Sequence, residues 1–526
     1  MRDCLGRVVG IAILIAVCSA ISQAEFYPLK MEFKRLASRR FIFDNNLSLS
    51  ELNPSTVVAL DLMHPWETVN KKDQPCAYAL QGGNLVISNK SESVTRSNMF
   101  AGGINPFAVY DIDLKSLKGQ GRVGVEISQT DFTRRLIVCI DYTAGKSIAN
   151  ARYYESGEKK LNEMLNLADI PVAPFTWRVQ MMGTGIAVFV EKDGVSALVG
   201  SLETNKLLDF REKATFTDMK FRIYTELKPE SEVVLSAAKS YLTCGTGQAD
   251  IRMVTSREGA PYWKDDRLWF LFTARGWLLP HPTQGVFSLD PTVFNPRFEG
   301  TIVFDMGDGK LRNDVGTHLF YDAEADEFRG WSCNFSTVAD GNNRYPSGIN
   351  YVQSKHRPLK GFVVMKARAA ENMTYKHEDP CGFWDQEADK WRLLMSSFHE
   401  GIKASLWESD HWDGPWEKIA GPVPRDSTGT LIQKIGDTRY IFAGSSDQAV
   451  YIYTYPGLEL LGELNMDYKP WNASVKNGRV WPNIFPAPEG HPYPYLALMM
   501  DRANFPGYKK GWIYGALHLY GAIVNQ

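Results

Sequence analysis

The chain has 526 residues, 44% hydrophobic and 22% charged, which is enough for two or three domains with ample apolar core. A formal net charge of −2 with no basic block excludes the usual signatures of nucleic-acid or anionic-membrane binding. The 14 Trp and 23 Tyr suit sugar-stacking surfaces, but such residues also fill β-cores, and the core accounts for most of them here.

The chain begins with a predicted secretory signal over residues 1–24. Arg2 and Arg7 flank a short charged region, residues 8–20 are apolar but too few to span a bilayer comfortably, and Ser22-Gln23-Ala24 offers small residues for cleavage before Glu25. The expected location is therefore secreted or periplasmic, without a lipid anchor, and no later segment reads as a membrane span. Cleavage leaves Cys76, Cys139, Cys244, Cys333 and Cys381, an odd and widely spaced set that forms neither a disulfide framework nor a zinc pattern.

Residues 25–60 read as a lead-in segment with basic pairs at Lys34-Arg35 and Arg39-Arg40. Over 61–243, alternating and near-continuous apolar runs dominate. Examples are residues 107–114, residues 122–127 and Leu136-Ile137-Val138-Cys139-Ile140. Residues 175–182, Gly183-Thr184-Gly185 and residues 186–191 read as a hairpin closed by a glycine-bearing turn. Long antiparallel strands with few helices predict a β-sandwich, and the hairpin resembles those of jelly-roll, concanavalin-like folds.

Residues 244–526 carry a repeat. Leu319-Phe320-Tyr321-Asp322-Ala323-Glu324-Ala325-Asp326-Glu327-Phe328 is echoed 63 residues later by Gly382-Phe383-Trp384-Asp385-Gln386-Glu387-Ala388-Asp389-Lys390-Trp391. Each copy reads as strand, acidic turn, strand, and such periods point to propeller blades. Five blade starts are expected, at Asp250, Asp314, Asp379, Asp426 and Trp481, which predicts an all-β protein with a C-terminal five-bladed β-propeller over 244–526 as the candidate catalytic domain. In that architecture one strand end from every blade meets the axis, so acids at those ends converge. The acids of the repeated turn, including Asp322 and Asp385, are expected to be solvated on the rim.

Glu378-Asp379-Pro380-Cys381-Gly382-Phe383-Trp384-Asp385, with Ser405-Leu406-Trp407-Glu408 and Gly414-Pro415-Trp416-Glu417, resembles phrases of the five-bladed glycosidases of families 43, 32 and 68, the arabinanase, xylosidase and invertase enzymes. The resemblance covers the C-terminal half. It implies hydrolysis of a glycosidic bond by carboxylates, inverting if the family 43 pattern holds. In that pattern, Asp250 is the general base, Asp379 the carboxylate that tunes its neighbours and Asp426 the general acid, with Glu400 in reserve. Substrate contacts are expected from Asp314, Arg252, His318, Glu378, Glu400, Trp481, Asn483 and Arg502. Departures from the family are Glu378 where Arg usually precedes Asp-Pro, Asp426 where Glu is usual, and Ile251 rather than Pro after Asp250.

The implied partner is a carbohydrate, with a furanoside in a polysaccharide as one candidate, and the resemblance implies no required cofactor and no metal site. A structural calcium is compatible with either domain, although no calcium-ligand loop stands out. Two other readings stay open: a glycan-binding propeller without catalysis, and a phosphorylase or lyase on the same scaffold.

Overall fold

Strand-forming alternation runs almost the whole length of the chain, and the computed structural model describes a protein built nearly entirely of antiparallel sheet. It describes residues 26–524 apart from 144, 276–281, 337–347, 372, 374–375, 399–400, 471–478 and 501–515. Among the described residues, helix is confined to single turns such as Leu60–Met63 and Lys213–Phe216, and no helix is long and apolar enough to cross a membrane.

Between Leu47 and Leu242 the strands form a seven-stranded and an eight-stranded sheet. Their inner faces share one core: Tyr110, Ile112, Trp177 and Val179 from one sheet pack with Val125, Ile127, Val138 and Ile140 from the other. Trp177 is fully buried, and its indole N–H donates across the gap to the Val138 carbonyl at 3.1 Å. The expected hairpin is present, with Phe175–Met181 paired to Gly185–Lys192 from Thr176↔Glu191 to Met181↔Ile186. The unbroken apolar run at 136–140 also has a physical reason. Leu136, Val138 and Ile140 face the shared core, while Ile137 and Cys139 meet Tyr224 and Tyr154 on the opposite face, so both sides of this strand are covered.

Among the described residues from Gly247 onward, sheets of eleven, four, four and, with Met31–Arg40, five strands divide into five mainly antiparallel units. Their first strands are Gly247–Met253, Val315–Asp322, His377–Asp385, Thr428–Ile435 and Asn483–Pro486. These five strands contact one another in chain order, and the last also contacts the first, closing a ring. The outer strands of the first two units, Asn295–Asp305 and Gly361–Ala369, pair in parallel and fuse those units into one large sheet.

The fifth unit is completed from the other end of the chain. Met31–Arg40, within the segment read as a lead-in, pairs antiparallel with Ala516–Val524 from Met31↔Val524 to Arg40↔Ala516, and parallel with Asn465–Met466. Met31 and Phe33 are 1% exposed and belong to the core shared by the last units. The rest of the segment is divided: Leu47–Leu52 pairs with Glu232–Leu242 in the eight-stranded sheet.

The repeated turn acids depart from expectation at one position in each copy. Asp322 and Asp385 are buried, and each meets the arginine seven residues later, Arg329 at 2.8 Å and Arg392 at 3.7 Å. Tyr455 adds a hydroxyl donor to Asp385. The sequence repeat therefore encodes a structural tie between adjacent strands, which buried Glu327 joins in the first copy through Arg329 at 3.1 Å, while Glu324, Asp326, Glu387 and Asp389 are exposed. All five described cysteines are buried and free.

Candidate active site

A backbone irregularity recurs at the start of the first strand in four of the five units. Pairing slips between Ala249 and Arg252, between Val315 and His318, between Glu378 and Cys381, and between Thr428 and Leu431. Each slip is a bulge, and each holds a residue with positive φ: Asp250 at 49°, Gly316 at 66°, Asp379 at 58° and Gly429 at 59°. Glycine takes this conformation freely, whereas an aspartate is held there at a cost of about 1–2 kcal/mol. Most other aspartates with positive φ sit in turns, such as Asp265, Asp326 and Asp389. A strained carboxylate in a buried strand is the kind of outlier that marks function.

This register corrects the sequence-based equivalence. Asp250 and Asp379 correspond to Gly316 and Gly429, not to Asp314 and Asp426. Asp314 is fully buried, accepting from the Ser336 N–H at 2.8 Å, the Ser336 hydroxyl at 2.9 Å and the Asn350 amide at 3.1 Å. It ties neighbouring segments together, and its carboxylate is taken up by protein donors. Asp426 accepts two hydrogen bonds from Arg479, at 2.7 and 2.8 Å, and one from the Ser446 N–H at 2.8 Å. Burial pushes this carboxyl up, but the Arg479 and Ser446 bonds outweigh it and hold Asp426 below the usual carboxylate range. A carboxylate kept ionised in this way is ill suited to donate a proton.

Asp379 is 5% exposed. Its Oδ2 accepts from the Gly429 N–H at 2.7 Å, from the Thr428 hydroxyl, and more weakly from the Ser396 hydroxyl at 3.5 Å. The fourth bulge thus turns a backbone donor toward the carboxylate of the third. Burial pushes Asp379 up, the Gly429 and Thr428 donors restrain it, and the charge of Asp250 raises it further, leaving it above the ordinary carboxylate value. Asp250 is partly exposed, its N–H donates to Met500 Sδ at 3.0 Å, and its Oδ2 accepts from Arg275 at 3.4 Å.

Glu378, which sequence reasoning placed among the substrate contacts, has the strongest perturbation of the group. It is half-buried, and burial followed by the charges of Asp379 and Asp250 lifts its carboxyl far above the ordinary value, against the opposing pull of Lys376 and Arg479. A raised folded-state value means that the folded protein holds this proton more tightly than the unfolded chain. The stabilisation is complete below the unfolded value near 4.5 and is lost as pH rises through the elevated folded value. Stability measured by denaturant titration should therefore decline with rising pH across that window, and Glu378→Gln should flatten this dependence.

Several expected substrate contacts lie elsewhere. His318 is buried, with Nδ1 accepting from the Gly382 N–H at 3.1 Å, so Nε2 carries the proton and donates to Thr255 at 3.2 Å. Burial and the nearby Arg252 hold this ring neutral. Asn483 is fully buried and its amide is spent on the backbone, accepting from Met253 N–H at 3.1 Å and donating to Ile251 carbonyl at 2.7 Å. Trp481 is 3% exposed, with the Arg252 guanidinium 4.6 Å from its ring centroid, so it is a packed floor and offers no open stacking platform. Arg252 itself is 1% exposed. Glu400 and Arg502 lie outside the described residues. Arg479 and Thr428 were missed, because no local motif announces a residue whose partner lies about 50 positions away.

Gly429 has a second constraint. A Cβ there would lie 2.5 Å from the Trp481 ring. With the positive φ added, Gly429→Ala should cost about 2–4 kcal/mol in chemical denaturation. It should also displace the N–H that holds Asp379.

Among the described residues, no group of three or more His, Cys, Asp or Glu side chains is arranged to hold a metal ion. No protein-family profile matches the chain, and no curated protein matches it significantly. Solved structures similar to parts of it include an endo-1,4-β-xylanase from Bacteroides thetaiotaomicron, at 10% identity and a TM-score of 0.34 over 52% of this chain and 89% of that one. A thermostable family-43 glycoside hydrolase has 10% identity and a TM-score of 0.35 over 52% and 88%. The carbohydrate-binding module CBM66 from Bacillus subtilis has 15% identity and a TM-score of 0.23 over 33% and 94%. Each of these scores is below 0.5.

Proposed function

We propose that this protein is a secreted or periplasmic glycoside hydrolase, with its catalytic centre at the bulged strand starts of the five-unit ring read as a five-bladed β-propeller. The observation that carries this reading is the pair of bulged strand starts that hold Asp250 and Asp379 at positive φ, with Glu378 next to Asp379 and its carboxyl raised by burial and by the charges of both. Glycosidic cleavage passes through an oxocarbenium-like transition state that needs one carboxylic acid and one carboxylate. Glu378 takes the role of general acid, donating its proton to the departing glycosidic oxygen. Asp250 takes the role of base, drawing a proton from the attacking water. Asp379 touches neither proton: its negative charge keeps Glu378 protonated, and the donors on Thr428 and Gly429 keep Asp379 itself in place.

The acid thus moves from Asp426 to Glu378, the residue that replaces the Arg usual before Asp-Pro. Inversion at the anomeric carbon follows from this division of roles, and a polysaccharide or oligosaccharide furanoside is the proposed substrate. The test is sugar release from a panel of aryl furanosides, aryl pyranosides and polysaccharides, with Glu378→Gln, Asp250→Asn and Asp426→Asn beside the parent protein. Release from polysaccharides that disappears with Glu378→Gln and Asp250→Asn and survives Asp426→Asn supports the assignment, while aryl glycosides with acidic leaving groups should still turn over in Glu378→Gln. Release unaffected by Glu378→Gln and Asp250→Asn overturns it, and glycan binding without release by the parent protein favours a binding propeller.

A further inference from the structure

Arg252 is the least satisfied cation in the described structure. Its side chain is 1% exposed, and Nε, Nη1 and Nη2 all lack a hydrogen-bond partner among the described residues. One face of the guanidinium is covered by Trp481 at 4.6 Å. Asp379 and Asp250 act on it only through space, their closest bonds being spent on Thr428, Gly429 and Arg275. Burying five N–H donors and a positive charge without acceptors is costly, so a group with lone pairs is required beside them.

The space for such a group is adjacent. Arg252 lines a small internal cavity with Thr255, His318, Phe383, Leu431 and Gln433, whose volume of about 10 Å³ admits the centre of a single water-sized sphere. None of the described lining residues is Asp or Glu. His318 Nε2–H already donates to Thr255 Oγ1, which leaves the Thr255 hydroxyl proton to donate in turn. Gln433 is engaged with the backbone at Ile484 and Lys434. Among the lining side chains, the Arg252 guanidinium and the Thr255 hydroxyl are therefore the donors left to hold a ligand, and the charged one is positive.

We infer that this cavity is a binding site for one small monovalent anion of the halide class, held by the Arg252 guanidinium and the Thr255 hydroxyl. The narrow volume favours a monatomic ion over sulfate, phosphate or a carboxylate. The lining favours an acceptor with negative charge over a water, which would bring two protons into a ring of donors. The ion would offset the pull that Arg252 exerts on Asp379, and so link the charge of the candidate active site to halide concentration.

Two measurements on the full chain test this without reference to catalysis. In the first, crystals grown with bromide in place of chloride are measured at the bromine absorption edge. An anomalous peak in contact with Arg252 is expected, and a water-height peak without anomalous signal there would overturn the inference. In the second, thermal unfolding is followed in sodium chloride against sodium gluconate at matched ionic strength, so that surface screening is equal. A saturable rise in Tm with chloride is expected, as for a ligand bound only by the folded state, and Arg252→Met should abolish it. Equal Tm values in the two salts would count against the site. If Arg252→Met does not fold, the bromide measurement on the parent protein decides. Because neither readout needs turnover, failure of the halide site and failure of the glycosidase reading remain distinguishable.

Discussion

Glu378→Gln should lower kcat/KM by about 10³-fold on a glycoside whose leaving group needs protonation, because positioned general acids contribute on the order of 10²–10⁴. The loss should shrink to less than about 10-fold on aryl glycosides with acidic phenol leaving groups, which depart without a proton. This dependence on leaving group separates a proton donor from a residue that merely shapes the pocket, since damage to the pocket would affect both substrates alike. The pH profile supplies a second criterion. Activity should fall as pH rises through the elevated Glu378 value, and that alkaline limb should be missing from Glu378→Gln. Asp379→Asn removes a neighbouring negative charge, so it should move the limb of the remaining activity to lower pH. A limb that stays in place in both variants would sink the assignment of Glu378, and so would an equal loss on both substrate types.

The second large effect concerns folding. Removing residues 26–40 should abolish the cooperative unfolding of the C-terminal units. The strand Met31–Arg40 covers the edge of Ala516–Val524 along its whole length and carries Met31 and Phe33 into the core. Without it the fifth unit has three strands and an open edge next to a buried apolar surface, a configuration that invites aggregation. A single Phe33→Ala should cost about 3–5 kcal/mol, as expected for a fully buried aromatic. Denaturant titration followed by Trp fluorescence would measure both, and a deletion variant with the parent midpoint would show that the strand is dispensable. The Arg35 guanidinium adds to this closure, bonding the Tyr520 hydroxyl at 2.9 Å and the Tyr468 carbonyl at 3.1 Å.

These two expectations bracket what could be read from the sequence. The repeated strand–acid–strand phrase located two of the five units, and the hairpin at 175–191 matched its pairing closely. Both are short-range patterns, in which alternation and turn chemistry act over ten or so residues. The partner of Met31–Arg40 lies more than 470 positions away, and nothing in its mixed composition names that partner.

The candidate site divides along the same line. Asp250 and Asp379 were legible because an acid stands at a strand start, with Pro380 and two aromatics following the second. Asp314 and Asp426 were chosen by the same rule, yet the register places glycines at the equivalent bulges. A bulge is defined by two residues opposing one and by a positive φ, which either glycine or aspartate can occupy, so residue type alone cannot locate it. The sequence by itself determined an all-β chain and the repeating unit, and it offered Asp250, Asp379 and Glu378 among its candidates. Only the tertiary structure decided their surroundings, because the burial of Glu378 and Asp379, the nearness of Asp250 and the capture of Asp426 by Arg479 arise from residues that chain distance keeps apart and folding brings together.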